Sequence, residues 1–352
     1  MSPSTIGPAA SGRRRREPVS LLAPARVTAE RLLPTSATPL LLRPAMEGVN
    51  LLRWVEENRD SVRGQLLRHG AVLFRDFSAL AEVSEFEQII RCIAGGDLLS
   101  YSYASTPRTP VSGGIYTSTE YPADQEIRLH NEMAYARRWP LKVGFYCITA
   151  APQGGETPLA DSRRIYQRIP AAIRGRFETR GVMYVRNYDE GLDLSWQDVF
   201  GTTERSVVEE FSRSSGIAFE WKPDGGLRTR QVCQAALAHP VTGEMVWFNQ
   251  AHLFHVSSLA ENVQASLLGT FAEEDLPRNA YYGDGSPFGQ EDLNTIRQAF
   301  RDEEIVFPWR SGDIVVVENM LVAHGRRPFS GPRRVVVGMA EPFDGTCAGA
   351  TD

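Results

Sequence analysis

Ile127-Arg128-Leu129-His130-Asn131-Glu132 is the stretch on which the reading of this 352-residue chain turns. In an extended strand, residues i and i+2 point to one side, so His130 and Glu132 can grip one ion while Asn131 faces away. A third imidazole stands far downstream, in Asn319-Met320-Leu321-Val322-Ala323-His324-Gly325-Arg326. Two histidines and one carboxylate on one face of a metal leave the opposite positions open, an arrangement suited to non-haem Fe(II) and O2. A bare H-x-E is common by chance, and its weight comes from what surrounds it.

Outward from the triplet, the chain reads as short strands and turn-rich loops. Val143, Phe145 and Cys147 alternate with Gly144, Tyr146 and Ile148, and Ile314-Val315-Val316-Val317 follows a Ser311-Gly312-Asp313 turn. Residues 334–339 form a last strand. Many short strands with distant returning partners predict a mainly β fold with flanking helices, a double-stranded β-helix or jelly roll. Upstream, Leu51, Leu52, Val55, Val62 and Leu66 recur at helical spacing until Gly70. Ala71-Val72-Leu73-Phe74 reads as a buried strand. A second helix carries Val83, Phe86, Ile89, Ile90 and Ile93 before Gly95-Gly96. Residues 1–45, rich in Pro, Ser, Ala and Arg, read as tail or linker. Residues 46–345 then form one domain, with a long, partly helical insertion over about 160–300 that includes helices at 261–274 and 291–302. Residues 346–352 read as a second tail.

Composition excludes several classes. A net charge of -5 argues against a nucleic-acid partner, which calls for a basic domain. Nothing approaches the apolar run of about 18 residues that a membrane span needs. Arg13 to Arg16 lack a following apolar region, because Glu17, Pro18, Pro24 and Arg26 interrupt it, so they read as solvated tail and not as a signal. Cys92, Cys147, Cys233 and Cys347 stand too far apart for zinc-ligand or redox motifs, which implies reduced thiols and a cytoplasmic protein.

Further stretches fall in order around the triplet: Tyr116-Thr117-Ser118-Thr119-Glu120-Tyr121-Pro122, Gly154-Gly155-Glu156-Thr157-Pro158 with Asp161-Ser162-Arg163, Trp247-Phe248-Asn249-Gln250-Ala251-His252, Tyr282-Gly283-Asp284-Gly285-Ser286, Trp309-Arg310-Ser311-Gly312-Asp313, and Gly331-Pro332-Arg333-Arg334. Together they resemble the taurine dioxygenase (TauD/TfdA) family of Fe(II)- and 2-oxoglutarate-dependent oxygenases. The likeness is greatest to the branch named for the syringomycin aspartate hydroxylase, near the clavaminate synthase type, and runs from about Leu51 to Pro342.

The resemblance implies iron ligands at His130, Glu132 and His324, with 2-oxoglutarate and O2 as cosubstrates. Halogenating relatives vacate the carboxylate position, so Glu132 disfavours halogenation. The family places the arginine that clasps 2-oxoglutarate on the strand after the distal histidine, at Arg333 or Arg334; alternation groups Arg334 with Val336 and Gly338, and Arg334 is preferred. Thr157 matches the hydroxyl that binds the same cosubstrate. Arg108, Thr117, Ser118, Asn131, Asn249 and Asp284 border the substrate side in similar enzymes. Arg108 would clamp a carboxylate and Asp284 accept an ammonium, with structural salt bridges an equal use for each. Asn319 would orient the loop bearing His324. His252 and His255, at i, i+3, lack a carboxylate at ligand spacing and are assigned no metal; His69 and His239 read as turn or surface residues. The implied activity is hydroxylation of an unactivated C–H bond of an amino acid, free or on a carrier protein, in specialised metabolism. Desaturation and cyclisation are close variants. A zinc hydrolase on the same triad and a non-catalytic jelly-roll binding protein are the rivals from other classes.

Overall fold

A computed structural model describes residues 26–99, 103, 106, 108–188 and 193–345. At its centre, Ile314–Glu318, Arg138–Thr149 and Arg334–Asp344 lie side by side in an eight-stranded sheet. Ala71–Phe74, Ser36–Pro44 and Val27–Leu33 extend it on one edge, Ile115–Thr117 and Pro110–Ser112 on the other. Strand alternation splits the side chains between two faces. Ile314, Val316 and Val336 join Val55, Leu66, Ile89 and Ile90 of the helices Leu51–His69 and Val83–Ala94. Val315, Val317, Val335 and Val337 point the other way, against Leu159, Val322 and Phe248.

That second face is covered by a smaller sheet, ordered Ile127–His130, Val322–Arg326, Leu159–Asp161, with Gln153–Gly154 and Phe329–Ser330 paired nearby. Two facing sheets make the jelly roll, and the site lies between them. The helices expected at the N-terminal end are present, closing at Gly70 and Gly95.

One boundary differs from the reading of the sequence. Residues 27–44 are not tail: Ser36–Pro44 pairs in parallel with Ala71–Phe74, and Leu40, Leu41 and Leu42 are buried. Burial of three consecutive leucines outweighs a composition that reads as linker. Residues 1–25 and 346–352, also read as tails, lie outside the described residues. The insertion is only partly helical because it also carries a four-stranded antiparallel sheet, ordered Ala218–Trp221, Leu227–Cys233, Val182–Tyr188, Arg278–Tyr282. It encloses its own aromatic core around Phe177, Tyr184, Trp247 and Phe254. Its expected helices appear as Glu261–Thr270 and Gln290–Asp302.

Candidate metal centre

His324 and His130 face each other in register on adjacent antiparallel strands, with ring centroids 4.7 Å apart. Gly325 permits that closeness: a Cβ there would sit 2.5 Å from the Ile127 carbonyl oxygen of the neighbouring strand. Glu132 reaches the same place by a different route from the one the spacing predicts. The strand ends at His130, and Glu132 lies in the turn beyond, just before Met133 with φ 55°. Asn319 fixes this turn. Its side-chain oxygen accepts the Glu132 N–H at 2.7 Å, and its amide donates to the Glu132 and Pro140 carbonyls at 2.9 and 2.8 Å. Asn319 therefore acts on Glu132's peptide.

Ligand atoms of His130, Glu132 and His324 lie within 4.8 Å of one another, the one such group of three or more among the described residues. His130 Nδ1 donates to the Arg128 carbonyl at 2.8 Å, which leaves the Nε2 lone pair for a metal. Burial, helped by the neighbouring His324, pushes the His130 imidazole down to about 4, so it is neutral near pH 7. Burial alone would raise the Glu132 carboxyl, but Arg108, with Nη2 2.7 Å from Oε2, and His324 outweigh it and hold the group ionised. His324 Nδ1 is buried without a hydrogen-bond partner, and its Nε2 stands 3.7 Å from Glu132. Two imidazoles beside an ionised carboxylate are the donor set a divalent iron takes.

The triad opens on a pocket lined by Arg108, Ser118, Thr119, Ile127, Phe145, Thr157, Arg326, Arg333 and Val335. Arg333 donates to the Gly155 carbonyl at 3.0 Å and reaches the Ser118 hydroxyl at 3.4 Å. Burial, with Arg326 close by, lowers its guanidinium to about 10. Thr157 is buried and accepts a hydrogen bond from Trp309 Nε1 at 3.0 Å.

Arg334, the arginine preferred from the sequence, does not line this pocket, whereas Arg333 does. Arg334 does share a face with Val336 and Gly338, but that face is turned to the helices, and its own side chain is exposed. Arg333, two places before the pocket residue Val335, looks inward. Other expected substrate residues also lie elsewhere. Asn131 is buried and donates to Ser162 Oγ and the Asn319 carbonyl. Asn249 ties its own loop, donating to the Ala235 carbonyl and accepting from the Ala251 N–H. Thr117 bonds Glu120 and Thr109 without lining the pocket. Asp284 caps an exposed turn through the Ser286 N–H and stands 3.7 Å from Arg180; its polarity serves the turn.

His252 stacks on Phe300 and bonds the Leu129 carbonyl, while His255 caps the turn at Ser257. His239 is buried, not on the surface, and accepts the N–H groups of Val241 and Thr242. Phe145, against His324, and Arg326 were assigned no role from sequence. Arg326 was within reach of the same argument, since it lies two places beyond His324 on one strand.

A facing-sheet jelly roll with a two-histidine, one-carboxylate triad and a buried arginine defines the class of non-haem iron oxygenases. The family model described as taurine catabolism dioxygenase TauD, TfdA family matches residues 36–340, and the chain belongs to that family. It is 42% identical to the dapdiamide synthesis protein DdaC of Enterobacter agglomerans, over 79% of this chain and 84% of that protein. A clavaminate synthase-like protein of Arabidopsis thaliana is 30% identical over 88% and 92% of the two chains. Among solved structures, PvcB of Pseudomonas aeruginosa, an Fe, alpha-ketoglutarate dependent oxygenase from an isonitrile synthetic pathway, superimposes with a TM-score of 0.54 at 15% identity, covering 92% of this chain and 96% of that one. The chain is an Fe(II)- and 2-oxoglutarate-dependent dioxygenase. The zinc hydrolase and the non-catalytic binding protein fall away with that membership. No helix among the described residues is long and apolar enough to cross a membrane.

Proposed function

We propose that this dioxygenase oxidises an unactivated C–H bond of a small, amino-acid-derived substrate, free or on a carrier protein, in the biosynthesis of a specialised metabolite. The observation that carries the reading is the joining of the His130, Glu132 and His324 donors to a pocket floored by Arg333. In this reading those three residues hold iron, and Arg333, with Ser118 and Thr157, holds the far carboxylate of 2-oxoglutarate. Arginine suits that task because its planar fork presents parallel donors to a carboxylate. When bound, iron would activate O2 as the oxidant, with 2-oxoglutarate giving up two electrons as it is converted to succinate and CO2 and the substrate C–H bond giving up the other two. The chain's own part is to orient and to exclude water. Arg108 keeps Glu132 ionised, His130 is locked in one tautomer by the Arg128 carbonyl, and Phe145 and Val335 supply apolar walls.

Specialised metabolism is supported by relatives named for dapdiamide synthesis and for an isonitrile pathway. Hydroxylation is the preferred outcome; desaturation and cyclisation use the same residues. Cys92, Cys147 and Cys233 are free thiols, which supports a reducing, cytoplasmic setting.

Anaerobic addition of Fe(II) and 2-oxoglutarate should produce a weak visible charge-transfer band, and air should then yield succinate. His324→Ala should abolish the band while circular dichroism stays native. Retention of both band and turnover in that variant would remove His324 from the ligand set.

A further inference from the structure

We infer that Gln250 and His252, on the insertion, are positioning residues for the metal centre, holding the two peptide carbonyls that flank His130. This rests on the oxygenase reading above and deepens it. Ile127–His130 is an outer strand of the smaller sheet, paired on one side with Val322–Arg326. A strand with one neighbour leaves backbone groups on its far edge that need other partners. Side chains supply them here. Gln250 Nε2 donates to the Asn131 carbonyl at 2.7 Å, and His252 Nε2 donates to the Leu129 carbonyl at 3.2 Å. Donors two residues apart thus meet carbonyls two residues apart. A carbonyl only accepts, so the proton of His252 is assigned to Nε2.

The grip is firm because its far end is fixed. Gln250 caps the short helix Ala251–Phe254, which contains His252, and both residues are buried. The Gln250 N–H donates at 2.7 Å to the hydroxyl of Tyr184, on the insertion's strand Val182–Tyr188. Arg297, on the helix Gln290–Asp302, donates to the His252 carbonyl through Nε and Nη2, each at 3.1 Å. The His252 ring stacks on Phe300 of that helix, with centroids 4.2 Å apart.

The insertion therefore bears on the residues either side of His130. The Asn131 carbonyl also accepts the Ala134 N–H at 3.3 Å, so Gln250 steadies the turn that carries Glu132 as well. Asn319 holds the Glu132 peptide from the core sheets, and Gln250 and His252 hold the same segment from the insertion. Both act at the metal centre without touching the metal. Groups that orient ligands from behind change metal affinity by about 10–100-fold when they are removed.

The test titrates Fe(II) anaerobically into the metal-free, full-length protein, with circular dichroism as the check of fold. His252→Phe keeps a ring to stack on Phe300 but removes the donor. Gln250→Met removes the other donor at similar volume. Each is expected to weaken Fe(II) binding at least about tenfold. His252→Gln, whose amide can reach the same carbonyl, should recover most of the loss. Val208→Ala, a buried site of the same core on the helix Arg205–Ser214, should stay within about twofold although it destabilises the insertion. Wild-type affinity in both donor-less variants would overturn the inference. So would a His252→Gln as weak as His252→Phe, equal weakening by Val208→Ala, or loss of the native fold in both His252→Phe and Gln250→Met, since each assigns the two residues to the scaffold. Failure of the oxygenase reading appears in the wild type instead, which would then give no charge-transfer band with 2-oxoglutarate and no succinate in air.

Discussion

A guanidinium held inside a pocket is poorly hydrated, and Arg333 meets that cost with one carbonyl and one hydroxyl in place of a full anionic partner. Its strand neighbour Arg334 is solvated and free of that constraint. Truncating a desolvated charged contact costs roughly 2–5 kcal/mol, so Arg333→Ala should raise the apparent KM for 2-oxoglutarate well over tenfold. Arg334→Ala, a surface change, should stay within about 0.5 kcal/mol, or roughly twofold. Titrating 2-oxoglutarate against succinate formation ranks the two. If Arg334→Ala proves the more damaging, the inward face of the last strand has been misassigned.

At the scale of elements, the site depends on a turn held by one side chain. Asn319 satisfies three backbone groups at once: the Glu132 N–H and the carbonyls of Glu132 and Pro140. Each buried group left without a partner costs about 1–3 kcal/mol. Asn319→Ala should therefore lower unfolding free energy by several times that of a surface substitution and weaken Fe(II) binding with it, because Glu132 loses its fixed approach. Denaturant unfolding and Fe(II) titration measure the two effects separately. Unchanged iron affinity in a destabilised variant would mean that the Glu132 turn is set by the strand ends alone.

Across the whole molecule, a charged network ties a flanking helix to the central sheet. Lys142 lies 2.5 Å from Glu318 and 3.1 Å from Glu341, and Arg63 of the helix Leu51–His69 pairs with Glu341 at 3.1 Å. Burial would raise the Glu341 carboxyl, but Lys142 and Arg63 outweigh it and hold it below its ordinary value of 4.5. A carboxyl depressed in the folded state contributes stability above its unfolded value, and that contribution is lost as pH falls through the folded one. Glu341→Gln should thus lose stability near neutrality and show a shallower decline below pH 4.5 than the wild type. Unfolding free energies measured from about pH 6 down to about pH 3 would decide it; parallel curves would show that the pairing contributes nothing.

What could be read from the chain was local or periodic. Helices ending at Gly70 and Gly95 and the strands around Val143 and Val315 follow from spacing, because side-chain periodicity is a property of neighbouring residues. The grouping of His130, Glu132 and His324 was legible for a related reason: ordered motifs along the chain carried a resemblance whose triad the fold brings within 4.8 Å. Alternation could divide Arg333 from Arg334 but not say which face was covered. That was settled by helices far away in the chain, which pack on the side of Val336 and leave Val335 to the pocket. Residues 36–44 became a strand through parallel pairing with residues 71–74, a partner that no local pattern names. Asn131, Asn249 and Asp284 were expected on the substrate side because of the family-like motifs that carry them, whereas the backbone groups that take up their hydrogen bonds are supplied only when the chain has folded.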